Sequence, residues 1–413
     1  MKPVHPISHL PIGDVLRKAR LIVACGSGGV GKTTTSAALA LQAAMAGRRV
    51  LVLTIDPAQR LLQALGLKPG QDGAPPHLPN TPLEVLPRLA DQLPQPLPPG
   101  GSLHAMMLDA SVAAEQMVDR LLGDAANRQR VVQNRVYRAF LPTLAASPEY
   151  FALELIYTLR ERGQFDLMVL DTPPMHNAID LLHASNTLSS FINDRVLKWF
   201  SKIPLPGEKR GFSILGAGNS MAMSVLGRLF GQDALPDIAQ FFAAFQDVLP
   251  KLRDRTQATD RMLRAPDTRF LIVTAPGETC LREARHLHAE LTEQAMPFAG
   301  FVVNRVLVAA QPPPDATQVP EVVRALQAAG LSPERAADAA NEVLESAQDL
   351  QRLADADAHH VHALQHLAGS ERVCAVVVQR DGDIHTIAEL ASLGAEIADS
   401  GAVPNPGSDL APP

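Results

Sequence analysis

Between Ile22 and Ser36 the chain reads IVACGSGGVGKTTTS, and within it Gly26, Gly31, Lys32 and Thr33 fit the pattern G-x-x-x-x-G-K-[ST]. That spacing suits phosphate chemistry. The run Gly26-Ser27-Gly28-Gly29-Val30-Gly31 lets backbone N–H groups close around nucleotide phosphates. Lys32 reaches the β- and γ-phosphates, the Thr33 hydroxyl takes a Mg²⁺ position, and Thr34 follows on the helix. The start of that helix adds its partial positive charge. A glycine turn that binds nothing is the bland alternative, and a strand before with a helix after argues against it. Two aspartates close apolar runs elsewhere: Asp56 after RVLVLTI and Asp171 after FDLMVL. Asp171, closing a buried strand downstream of a phosphate loop, reads as the second element of a phosphate site and helps hold Mg²⁺. The other, Asp56, is delivered to the strand-end edge where open α/β sheets place ligands. Asp56 could equally cap a helix over Ala58–Leu65, and the two roles are compatible.

These side chains need a sheet that delivers them to one edge. Apolar runs at 21–24, 49–55, 165–170, 269–274, 298–303 and 372–379 read as buried strands, with a shorter one at 103–108. Helical periodicity covers 33–46, 149–159, 280–294, 319–367 (broken near Gly330) and 384–397. Near-continuous apolar strands alternating with helices predict an α/β fold with a mostly parallel, doubly wound sheet, whose ligands sit at the strands' C-terminal ends. The whole of 1–413 is expected to be one such domain. Residues 71–101 are dense in proline and read as an extended, exposed connector. Residues 103–162 and 177–262 read as a helical insertion subdomain. Within the latter, Leu235, Ile238, Phe241, Phe242, Phe245, Val248, Leu249 and Leu252 recur at helical spacing. Met221, Met223, Leu226, Leu229 and Phe230 lie between glycine-rich edges; they could line an adaptable apolar groove, and ordinary core packing is the commoner alternative. The end, 401–413, reads as disordered.

Composition narrows the classes. A net charge of −6 and a pI near 6.1 argue against a nucleic-acid surface. No apolar run approaches the roughly 20 residues that span a bilayer, and the N-terminus has no apolar signal core. A cytoplasmic protein without stable membrane insertion is expected. The 3 cysteines, Cys25, Cys280 and Cys374, form no C-x-x-C pair. His362 and His366 share a helical face at i, i+4, and a solvated face is a commoner reading of that pair than a metal site.

Together these residues resemble the ArsA/Get3 family of P-loop ATPases, within the deviant Walker A group of P-loop NTPases. The loop Gly26–Thr34 matches G-K-G-G-V-G-K-T-T at all but one position; Thr54-Ile55-Asp56-Pro57-Ala58 resembles the family's first switch, T-D-P-A; Asp171-Thr172-Pro173-Pro174 resembles the second, D-T-A-P. Ala105-Met106-Met107-Leu108-Asp109 is similar to A-M-E-I-D. The resemblance implies ATP and Mg²⁺ as ligands and a closed dimer, homodimer or heterodimer with a related ATPase. It implies that Asp56 orients or deprotonates the attacking water, that Thr33 and Asp171 manage Mg²⁺, and that Asn304 reads adenine.

Two departures follow. Ser27 stands where the family carries a lysine that crosses to the partner's phosphates, a loss on the order of 10³-fold in rate for such a cation. The clustered thiols of arsenite pumps and the C-x-x-C zinc site of targeting factors are also missing, which disfavours arsenite transport. The sequence therefore predicts a slow, ATP-hydrolysing dimeric switch coupled to a client or partner through its helical subdomain, with an apolar protein segment as one candidate client. The alternative is a low-turnover regulatory or scaffold subunit. A division-site or chromosome-positioning ATPase fits less well, given the acidic balance and the long insertion.

Overall fold

The structure, a computed structural model, describes residues 11–56, 60–67, 80–122, 133–134, 148–173, 248–308, 316–370 and 372–399. Eight strands form one sheet: β1 (Leu21–Gly26), β2 (Arg49–Thr54), β3 (Leu83–Glu84), β4 (Ser102–Met107), β5 (Leu167–Asp171), β6 (Thr268–Thr274), β7 (Phe298–Val306) and β8 (Val373–Val378). Their order is β3-β4-β2-β5-β1-β6-β7-β8, and only β3 runs antiparallel to its neighbour. This is the doubly wound α/β sheet of a P-loop NTPase, with β1 near its centre.

Alternation along β1 shows why its apolar run is unbroken. Leu21, Val23 and Cys25 join the core on one face, and Ile22 and Ala24 the core on the other. A strand covered on both sides has no solvent face to carry polar residues. Helices α1 (Ile12–Lys18), α2 (Lys32–Met45) and α10 (Ile387–Asp399) build the second of these faces; α4 (Ala110–Leu122), α5 (Pro148–Arg162), α6 (Val248–Arg264) and α7 (Glu278–Glu293) build the first. The short α3 (Arg60–Ala64) follows β2, and α8 (Val319–Ala328) and α9 (Pro333–Ala368) are separated at Gly330, whose φ is 97°.

Two expectations need correction. Of the connector expected over 71–101, residues 71–79 lie outside the described residues, and 80–101 is not simply exposed. Leu83–Glu84 pairs with β4, and Val85, Leu86 and Leu89 are buried, so the apolar residues between the prolines serve as an edge of the core. Nor do the described residues of 103–162 stand apart as a helical insertion, because Ser102–Met107 is a sheet strand paired with β2, and α4 and α5 cover the sheet beside it. The Met221–Phe230 segment, most of the Leu235–Leu252 stripe and the tail 401–413 lie outside the described residues. The described end of that region, α6, packs on α5 and α4.

Candidate functional site

Strand register brings the chemistry together. Asp171, the last residue of β5, sits level with Thr54 on β2 and with Ala24 on β1. The Thr33 hydroxyl donates to Asp171 Oδ2 at 2.7 Å, and the Thr54 hydroxyl donates to the same oxygen at 3.0 Å. Thr54 Oγ1 also accepts the backbone N–H of Asp56 at 3.2 Å. One continuous chain of hydrogen bonds thus joins the phosphate-loop threonine, Asp171 and the backbone of Asp56.

Asp171 is 1 % exposed, and its other oxygen, Oδ1, has no hydrogen-bond partner among the described residues. Burial pushes its carboxyl up to about 6, against the two hydroxyl bonds and the charge of Lys32, which pull it down. A carboxylate with one open buried oxygen beside two hydroxyls is an all-oxygen donor set, the kind that a hard cation such as Mg²⁺ prefers. The site fits that ion, with Asp171 and Thr33 as the residues that would hold it.

Lys32 lies beneath the loop. Its ammonium donates to the carbonyls of Gly26 at 2.9 Å and Ser27 at 2.5 Å. Burial lowers its pKa, and the nearby Asp171 carboxylate opposes that most. The loop's shape has steric causes. A Cβ on Gly26 would stand 1.9 Å from the Val273 carbonyl oxygen of β6, so the loop leaves the sheet where no side chain fits. Gly31 precedes α2 in left-handed backbone, φ 90°, and no side chain caps the helix. The first N–H groups of α2 are then open to an anion.

Ser27 is 7 % exposed and turns inward, its hydroxyl donating to the Glu283 carboxylate of α7. Asn304 Nδ2 donates to the Val30 carbonyl at 2.9 Å, and its Oδ1 accepts the N–H of Arg305 at 3.0 Å. The amide thereby fastens β7 to the phosphate loop.

A cavity of about 580 Å³ opens over this edge. Of the residues singled out from sequence, Gly28, Gly29, Gly31, Lys32, Thr33, Thr34 and Asp56 form its walls. Gly26, Ser27, Val30, Asp171 and Asn304 stand behind them. Thr172 and Pro173 also line the cavity, and sequence reasoning missed Arg60, Gln63, Ala64, Arg305 and the loop Asp383-Ile384-His385 among the remaining wall residues. Arg60 was within reach of it, lying one helical turn after Asp56; its guanidinium is 3.5 Å from Asp56 Oδ2. The 383–385 loop follows β8 at the same sheet edge, which the strand-end rule could have indicated.

Residues 19–329 match the family described as anion-transporting ATPase. The chain belongs to this family. Its relatives include ATPase GET3B of Arabidopsis thaliana, 27 % identical over 301 residues, covering 68 % of this chain and 63 % of that protein. ATPase get3 of Schizosaccharomyces pombe is 24 % identical over 285 residues, covering 68 % of this chain and 72 % of that one. The arsenical pump-driving ATPase of Escherichia coli is 26 % identical over 300 residues, covering 70 % of this chain and 40 % of the pump ATPase. The match thus spans less than two-thirds of GET3B and less than half of the pump ATPase. In this anion-transporting ATPase family member, β8, α10 and the 383–385 wall of the cavity lie beyond the matched residues.

Proposed function

We propose that this anion-transporting ATPase family member binds ATP with Mg²⁺ and hydrolyses it slowly to ADP and phosphate. Its nucleotide state then closes and opens a dimer, with itself or with a related ATPase, that engages a client or partner through residues 177–262. The hydrogen-bonded line from Thr33 through Asp171 and Thr54 to Asp56 carries the reading. It couples the residues assigned to Mg²⁺ to the one assigned to water. Mg²⁺, when bound, neutralises phosphate charge. The chain's own part is to cradle the phosphates in the loop's N–H groups, place Lys32 beneath them and aim the Asp56 carboxylate at water. Hydrolysis of this kind depends on positioning and charge rather than on covalent chemistry. The relatives named as ATPases support the reaction, and among the described residues no helix is long and apolar enough to cross a membrane. Cys25 and Cys374 are buried on separate strands of the sheet, which supports the view that arsenite is not the cargo.

Asp56→Asn should keep ATP affinity and lower turnover by at least about 10²-fold, the scale of a positioned acid–base group. Unchanged turnover would sink the role given to Asp56. Lys32→Ala should weaken ATP binding in titration calorimetry, and undiminished affinity would contradict the phosphate-loop reading. One observation favours a second reading, a regulatory subunit with little turnover. Ser27 bonds inward to Glu283, so position 27 offers no cation to a partner. Steady-state hydrolysis by the parent chain separates the two.

A further inference from the structure

We propose that Arg60 is the second phosphate cation of this site, acting on the γ-phosphate of the nucleotide bound by its own chain. The inference rests on the ATP reading above and extends it by one residue. Position 27, where the resemblance places a lysine, holds a serine turned to Glu283. Among the described residues of the cavity wall, the side chains with permanent or near-permanent positive charge are Lys32, Arg60 and Arg305. Lys32 lies under the loop and is bonded to two of its carbonyls. Arg305 follows Asn304 at the end of β7, on the side to which the resemblance assigns the base. Arg60 stands on the Asp56 side. Its side chain is 61 % exposed, and its guanidinium lies 3.5 Å from Asp56 Oδ2.

That placement puts a cation and the carboxylate assigned to the attacking water at one point of the wall. A guanidinium has five N–H donors in a rigid fork. It can stay ion-paired with Asp56 and offer its donors to phosphate oxygens. In the reaction, the water oxygen bonds to the γ-phosphorus while the bond from that phosphorus to the β–γ bridging oxygen breaks. The bridging electron pair leaves with ADP, and the water's proton passes by way of Asp56 to inorganic phosphate. Charge develops on the γ-phosphoryl oxygens and the bridging oxygen during this step. A fixed guanidinium beside them favours the transition state over bound ATP. ADP lacks the γ-phosphate and gains little from Arg60.

The test compares full-length parent, Arg60→Ala and Arg60→Lys, measuring ATP and ADP affinity by titration with Mg²⁺ and hydrolysis in single turnover. Arg60→Ala should hold ADP affinity within about twofold, lose about tenfold or more of the preference for ATP over ADP, and slow the single turnover about 10²–10³-fold. Arg60→Lys should recover part of each loss. Melting curves check folding, and the exposure of Arg60 predicts no change. An unaltered ATP-over-ADP preference or an unaltered rate in Arg60→Ala overturns the proposal while leaving the ATP reading intact. A parent that binds neither nucleotide removes both together. Mixing Arg60→Ala with Asp56→Asn addresses the same-chain assignment: no recovery supports it, and restored hydrolysis overturns it by showing that the arginine acts across an interface.

Discussion

The carboxyl of Asp171 pays for its position with burial. Its proton is held up to about pH 6 in the folded chain, against a normal carboxylate value of 3.8. A raised carboxyl pKa means that the folded chain binds the proton more tightly than the unfolded chain. This group therefore lowers stability above pH 6, and that loss is recovered as pH falls from 6 toward 4. A shift of this size corresponds to at most about 3 kcal/mol. Asp171→Asn should accordingly melt higher than the parent at pH 7 without ligands, and the gap should close toward pH 4. The same variant should lose the extra stabilisation that Mg²⁺ adds to ATP. Thermal melts at several pH values, with and without Mg²⁺ and ATP, check both, and a lower melting point at pH 7 would contradict the account. At this scale much of the site was legible, because Asp56, Asp171 and the loop announce themselves as polar residues ending apolar runs. Their long-range partners did not. Glu283 lies 256 residues from Ser27, and the Asn304 amide meets the Val30 carbonyl from 274 residues away, so only the folded sheet brings them together.

Among the elements, the reading from periodicity succeeded where strands were covered on both faces and failed where composition misled. The proline density of 71–101 reads as an exposed connector, yet within its described part Val85, Leu86 and Leu89 are buried and Leu83–Glu84 finds β4. A two-residue strand has no periodicity to detect; its existence depends on its partner. Residues 103–162 read as part of a helical insertion because no sequence signal shows which face of a helix a sheet covers. The described helices are joined to one another at Glu154 of α5, which is 1 % exposed and bonds Arg120 of α4 at 2.8 Å and Arg255 of α6 at 2.8 Å. Arg255 also donates to Thr158. One buried carboxylate therefore ties three helices. Removing it would leave two partly exposed arginines without their shared partner, a loss on the scale of charged hydrogen bonds, about 1.5–3 kcal/mol. Glu154→Ala should show that loss in urea denaturation, with Glu154→Gln intermediate because its amide oxygen still accepts. A cost under about 1 kcal/mol, the range of surface pairs, would show that the clamp is incidental.

For the whole molecule, the central question is whether one chain carries a complete hydrolytic site. The family match ends at residue 329, yet the chain beyond it supplies β8 and the Asp383–His385 wall of the cavity. Phosphate loop, both aspartates, Arg60 and that wall all belong to one sheet edge of one chain. A site that needed a partner's lysine would lose activity whenever the dimer dissociated, and its specific activity would rise with protein concentration. Here position 27 is a serine bonded to Glu283, and the cation beside Asp56 is Arg60. Turnover per chain should therefore stay constant within about twofold as the protein is diluted through dissociation of the proposed dimer, even if ATP and Mg²⁺ shift association by binding one form better than the other. Light scattering under the assay conditions gives the dimer fraction, and hydrolysis measured on the same samples gives the rate. A rate that tracks the dimer fraction would place an essential group on the partner and remove the single-chain account. A constant rate would mean that association serves the proposed coupling to a client rather than the chemistry.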